Sequence, residues 1–266
     1  MDFNTARNSL IIETFTLSQL LNLVDQVSGE VKGASPNDTY LLFSGNMPDG
    51  THTSEVIPSL LGNGVHDIGD SEIGKLLAYE GFNVKLKAAI ATEEFHFNWA
   101  TATLAEQLQV EERFNFLKSG VNAAGERVSS TSIWDIGSHN FVAAAKGNFR
   151  ILTPTTVDQL SVFVTSELPA LLSNGNVTHI DGVPRTELAA LASREGLDAA
   201  RNAIHLRSAE IAHFTSLGSG GGNLWLSLDD AELSAARQNQ VLLTSWAQRH
   251  QATFSSPAFK LSLIHI

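Results

Sequence analysis

From Ser132 to Ile180 the chain alternates between helical and strand-like periodicity, and this alternation constrains the fold more than any other feature. The spacing predicts a helix over 132–145, a stop at Gly147, a strand over 148–152, a second strand over 161–164, a helix over 166–172, a Ser-Asn-Gly turn and a strand over 177–180. Short β-runs separated by helices are expected to pair in parallel, because a parallel neighbour needs a crossover connection and a helix supplies it. An earlier apolar run, Thr39–Phe43 (TYLLF), has turn residues on both sides and reads as a further strand able to join the same sheet.

Elsewhere helices dominate. Over 16–28, Leu17, Leu20, Leu21, Val24 and Val27 recur at helical spacing, with Thr16 placed to cap the start and Gly29 to stop it. Residues 46–70 carry too many Gly and Pro for more than loop and one short helix. From Ser71 to Lys118 the pattern is helical, with a break expected near Gly81 and a new helix beginning at Thr92, where Glu93 and Glu94 would favour the positive end of the helix dipole. A polar linker follows over 119–131. Beyond the strand block, helices are expected over 186–194, 197–216 and 229–251, separated by the connector 218–222, which lacks the Lys-Ser/Thr of a phosphate loop. The expected class is α+β or α/β: a helix-rich subdomain over 1–130, a small mostly parallel sheet flanked by helices over 131–185 that forms the site, and a helical extension over 186–260. The last six residues, LSLIHI, match the translation of a transposon-end adaptor used in sequencing libraries. Natural sequence is therefore expected to stop near Lys260 in the residues given, whether or not the true protein continues.

Composition removes whole classes of function. The 266 residues include no cysteine, which excludes disulfide scaffolds and Cys-ligated metal centres. A net charge of −11 argues against a general nucleic-acid surface but permits a local basic pocket, for which Lys146, Arg150 and Arg185 are candidates. No apolar run is long enough to span a membrane, and the first residues lack the features of a signal peptide. The expectation is a chain with no membrane partner, cytoplasmic or exported without a cleaved leader. His205 and His213 lie eight apart and no His-Glu-x-x-His occurs, so no metal is expected.

The residues that could carry chemistry are Phe43-Ser44-Gly45, Trp134 with Ser138 and Phe141, and Phe163 with Thr165 and Glu167. Ser44 and Gly45 leave the end of one predicted strand and Glu167 follows another, and ligands of open α/β sheets bind beyond strand carboxyl ends. Aromatic side chains beside a carboxylate can stack on a flat cationic ring and stabilise positive charge developing next to it. Taken singly, each residue also has a plain structural reading: Phe43 and Phe163 as core, Trp134 as a helix-start anchor, Glu167 as a favourable first-turn acid.

In order and spacing these segments resemble the ADP-ribosyl cyclase / NAD glycohydrolase family. Leu42-Phe43-Ser44-Gly45 stands where that family has Trp-Ser-Gly after an early strand. Trp134, Ser138 and Phe141 match its Trp-x-x-x-Ser-x-x-Phe helix, and Phe163, Thr165 and Glu167 match its Phe-x-Ser-x-Glu with Thr for Ser. The resemblance covers residues 39–183 and implies NAD(P) as substrate with no further cofactor. It implies Glu167 as the catalytic carboxylate, with Phe43, Ser44, Gly45, Trp134, Ser138 and Thr165 binding substrate. It also implies a second acid about twenty residues after the first motif, where Asp67, Asp70 and Glu72 are the candidates. The family's disulfides are absent, which points to a bacterial-type relative such as an effector or toxin domain. Two other functions fit the same residues: a non-catalytic interaction module, or an ADP-ribosyltransferase that uses the same donor.

Overall fold

The computed structural model describes residues 1–43, 64–152 and 160–204. Ser44, Gly45, His205, His213, the connector at 218–222, the helix expected over 229–251 and the terminal six residues lie outside these. Among the described residues the fold is a mostly parallel five-stranded sheet together with a set of helices, the α+β or α/β class read from the alternation. The residues form two compact units that interleave along the chain: 1–33, 68–145 and 160–170 in a helical unit, and 34–43, 64–67, 146–152 and 171–204 in a sheet unit. The segment boundaries expected at 130 and 185 do not follow this division. Trp134, Ser138, Thr165 and Glu167 group with the N-terminal helices, whereas Thr39–Phe43 groups with the later strands.

The helical unit contains α1 (Phe3–Ile12), α2 (Leu17–Gln26), α3 (Glu72–Ala78), α4 (Glu80–Glu93), α5 (Leu104–Ser119) and α6 (Ile133–Ala144). Thr16 caps α2 through a reciprocal capping box with Gln19, as its position suggested. At the core are Ile73, Leu76 and Leu77 of α3, Phe82, Leu86 and Ile90 of α4, and Phe141 of α6, all fully buried. Each such side chain contributes about 1.5–3 kcal/mol through the apolar surface it removes from water. Helix α6 touches α2, α3 and α5, so it sits centrally in the unit and fixes whatever side chains it carries. The segment that follows α2 comes close to α6: a Cβ on Gly29 would lie 1.9 Å from the carbonyl oxygen of Asn140.

The sheet unit contains β1 (Thr39–Phe43), β2 (Val65–His66), β3 (Gly147–Leu152), β4 (Val177–Ile180) and β5 (Val183–Pro184), in the order β2-β1-β3-β4-β5. β1 pairs in parallel with both β2 and β3, β3 pairs in parallel with β4, and only β4–β5 is antiparallel. Tyr40, Leu41 and Leu42 are all buried, the continuous pattern of a parallel strand covered on both faces. The Tyr40 ring stacks on Phe149 of β3, with centroids 5.3 Å apart. Asp181 and Gly182 turn β4 into β5 with φ of 48° and 75°, as a two-residue hairpin requires and Asp-Gly readily adopts. Helix α8 (Arg185–Glu195) packs on β4 and β5.

Three local expectations are corrected. No helix starts at Thr92: the apolar face of α4 carries the helix to Glu93, the chain breaks around His96 (φ 63°), and α5 begins after Thr103, whose hydroxyl and Glu106 form a capping box. The break expected near Gly81 falls at Tyr79, between α3 and α4. The run 161–164 is not a strand. Phe163–Glu167 forms a π-helical turn, with the Leu168 N–H donating to the Phe163 carbonyl, and it continues into α7 (Leu168–Ser173). Pro169 explains why the ladder slips here. It has no N–H for the Thr165 carbonyl and its ring crowds that group, so the β-propensity of Phe and Val yields to a widened helical turn.

The close approach at Gly29 gives a stability test. Gly29→Ala should cost about 1–3 kcal/mol in urea denaturation, because the opposing atoms are backbone and cannot step aside. Gly175→Ala, where the added methyl meets nothing within 4 Å, should stay within about 0.5 kcal/mol of the parent. Equal effects at the two positions would contradict the packing of the Gly29 backbone against α6.

Candidate functional site

The site is assembled at the first turn of α6. Ser132 caps the helix: its hydroxyl oxygen accepts the Asp135 N–H at 3.3 Å, while Asp135 Oδ2 accepts the Ser132 N–H at 2.7 Å and the Ser132 hydroxyl at 2.6 Å. This is the capping box written in Ser-Ile-Trp-Asp. Asp135 does more than cap. It is 3% exposed, and Arg127 Nη2 lies 2.6 Å from its Oδ1 and 2.7 Å from its Oδ2. The hydroxyls of Thr165 and Ser166 stand 3.0 and 3.1 Å from Oδ1. Arg127 in turn donates from Nη1 to the Ser119 carbonyl at 2.5 Å and from Nε to the Leu160 carbonyl. The end of α5, the start of α6 and the π-turn are therefore tied through one guanidinium and one carboxylate.

Glu167 closes that π-turn. Its side chain is 6% exposed, and the hydroxyl of Ser138, also buried, stands beside it and favours its charged form. Trp134 lies one turn before Ser138 on the same face of α6 and is half-buried, while Phe141, one turn further on, is in the core. Burial pushes the Glu167 carboxyl up to about 7; the Ser138 hydrogen bond opposes this, the Asp135 charge adds to it and Arg127 offsets part. Two other buried acids behave differently. Burial also disfavours ionised Asp135, but the Ser132 hydroxyl and N–H together with Arg127 outweigh it and hold the group below its usual value. The same holds for Glu72, where the Phe3 N–H, Lys75 and Lys32 prevail over burial. Of these three acids, Glu167 is the one whose direct partner is a hydroxyl and not a cation.

Trp134, Ser138, Thr165 and Glu167 thus belong to one unit. Thr165 differs from its expected role: its hydroxyl faces Asp135 and, at 2.9 Å, the Ser161 carbonyl, so its single proton is engaged within the protein. Phe43 is half-buried at the end of β1, in the sheet unit. Among the candidates for a second acid, Glu72 is committed to joining α1 and α3, with Oε2 accepting the Phe3 N–H at 2.7 Å and Oε1 3.0 Å from Lys75 Nζ. Asp67 belongs to the sheet unit, and Asp70 lies in the 3-10 turn Ile68–Asp70. The acid whose charge acts on Glu167 is Asp135. Of the basic candidates, Lys146 is exposed, Arg150 is 2% exposed and donates to the Phe149 carbonyl, and Arg185 donates to the Leu172 carbonyl at 2.8 Å.

Sequence reading missed Asp135, Arg127 and Ser166. The Ser-x-x-Asp spacing does flag Asp135, but only as a cap. Nothing in the polar stretch 119–131 marks Arg127, because its partners Ser119, Asp135 and Leu160 are brought together by the fold. That stretch is not an open linker: Gly120 turns the chain at φ 70°, and Val121 bridges Arg127 in antiparallel fashion.

Among the described residues no group of three or more His, Asp or Glu could hold a metal ion, and no helix is long and apolar enough to cross a membrane. Comparison of the chain with protein-family models, with curated proteins and with solved structures gives no match in any of the three.

The Glu167 carboxyl makes stability depend on pH with a defined sign. Below its ordinary value of 4.5 it is protonated in the folded and unfolded states alike, and costs the fold nothing. Above about 7 it is ionised in both, and the buried charge then costs the folded state roughly 3 kcal/mol. Relative to Glu167→Gln, the parent protein should therefore lose stability as pH rises from about 5 to about 8, as measured by denaturant titration of both proteins at each pH. A difference that does not change across that window would show that Glu167 ionises like a solvated acid.

Proposed function

We propose that this chain cleaves the nicotinamide–ribose bond of NAD or NADP, releasing nicotinamide and, from NAD, giving ADP-ribose or its cyclic form. The observation that carries the reading is the environment of Glu167: a buried carboxyl beside the hydroxyl of Ser138, a residue that itself follows the half-buried Trp134 by one turn of α6. The resemblance of the segments Trp134-x-x-x-Ser138 and Phe163-x-Thr165-x-Glu167 to the cyclase and glycohydrolase motifs supports it. Phe43, Ser44 and Gly45 enter through the resemblance alone.

The chemistry suits a single carboxylate. When the C–N bond to nicotinamide breaks, its electron pair returns to the ring nitrogen and the leaving group departs neutral, so no general acid is needed. The ribose is left with oxocarbenium character, which a carboxylate in a poorly hydrated site stabilises strongly. Water adding to that carbon and losing a proton gives ADP-ribose; adenine nitrogen adding instead gives the cyclic product. A Glu167 poised near 7 suits the task, because the pyridinium charge of bound substrate favours its ionised form, and the ring can stack on Trp134.

Incubation with NAD followed by chromatography of products tests the proposal. The parent should release nicotinamide, Glu167→Gln should lose at least about a hundredfold in rate, and Trp134→Ala should raise KM. Because the carboxylate is the active form, kcat/KM should climb with pH and level off above about 7. Release of nicotinamide with label passing to a protein acceptor would assign a transferase. No release from the parent at any pH would overturn the reading and leave an interaction module.

A further inference from the structure

We propose that Asp135 and Arg127 together act as the positioning unit for Glu167: Asp135 holds the π-turn through the hydroxyls of Thr165 and Ser166, and Arg127 fixes Asp135. As a statement about catalysis this rests on the proposed function, whereas its geometry stands apart from it. The π-turn needs such a hold. Pro169 has withdrawn a backbone donor from it, and the two residues immediately before Glu167 are tied down by their hydroxyls: Ser166 at 3.1 Å from Asp135 Oδ1, and Thr165, whose one proton is shared between Asp135 Oδ1 at 3.0 Å and the Ser161 carbonyl at 2.9 Å. Asp135 cannot swing away, since its Oδ2 is held by the Ser132 N–H and hydroxyl at 2.7 and 2.6 Å. The Arg127 fork spans Asp135, Ser119 and Leu160, so its plane is fixed at three points. Lysine, with a single charged nitrogen, could keep the charge but not the fork.

The pair also sets the field at Glu167. Among the described residues Asp135, from α6, and Arg127, from the turn before α6, are the charged groups that act on it, and they act in opposite directions; Ser138 supplies the uncharged hydrogen bond. Asp135 makes loss of the Glu167 proton harder and Arg127 makes it easier. Removing either one should therefore move the Glu167 titration in a direction set by the sign of the lost charge. A purely structural role would not do this, since it would lower stability in both variants without opposing shifts.

The test reads Glu167 itself. The carboxylic C=O stretch that disappears in Glu167→Gln is titrated by difference infrared spectroscopy in the parent, Asp135→Asn, Arg127→Met and Arg127→Lys, with circular dichroism confirming the fold. The parent midpoint is expected near 7. It should fall by on the order of one pH unit in Asp135→Asn, rise by a similar amount in Arg127→Met, and stay near the parent in Arg127→Lys. If Arg127→Met does not fold, the double variant Arg127→Met/Asp135→Asn replaces it, since it leaves no buried charge unpaired. Its midpoint should then lie above that of Asp135→Asn alone. Shifts of the same sign, or none, in folded variants would overturn the proposal. Opposed shifts in a protein that releases no nicotinamide would keep the positioning unit and overturn the NAD reading. If both hold, the pH dependence of kcat/KM should move with the infrared midpoint.

Discussion

The carboxylate of Asp135 is the point on which the helical unit's site depends. It receives Arg127 and Ser132 from the chain just before it and Thr165 and Ser166 from the π-turn, 30 and 31 residues further on. A buried charge with so many donors stays ionised. Its cost of leaving water is met by the guanidinium and the surrounding hydroxyls, and removing the guanidinium alone would leave an uncompensated charge worth about 3–5 kcal/mol. Placement of Glu167 follows from this arrangement, because the residues just before it are the ones Asp135 holds.

Two carboxylates linked through the same π-turn have been given opposite characters. Asp135 has a cation and a capped helix start around it and is held below its usual range. Glu167 has burial and one hydroxyl, and Asp135's own charge helps keep its proton on. Pairs of titratable groups whose surroundings drive them apart are a common way for one fold to hold both a fixed charge and a reactive acid at neutral pH. Here the divergence arises from which side chains reach each carboxyl, and a widened helical turn at a proline sets that reach for Glu167.

Much of the fold was legible because it is locally encoded. The cap at Thr16, the helix start at Ser132 and the apolar run Thr39–Phe43 act within a few residues, and the sequence reading used all three. The Asp181-Gly182 hairpin was equally local, though the sequence reading did not use that signal. Thr92 misled because a residue suited to a helix start is also tolerated in a last turn: the buried face of α4 runs through Ile90 and Ala91 right up to it. The stretch 161–164 misled because β-propensity describes a preference that packing and Pro169 overrode.

By itself the sequence determined helix starts such as Thr16, the strand segments β1 and β3, and the types of residue available for chemistry, since each depends on neighbours a few positions away. It named Glu167 and Ser138 but had no means of pairing them with Asp135 and Arg127. Only the tertiary structure decided that Glu167 is buried against a hydroxyl while Glu72 and Asp135 are matched with cations. The physical reason is that a carboxyl's charge state depends on the atoms that replace its water, and those atoms come from segments that only folding brings together.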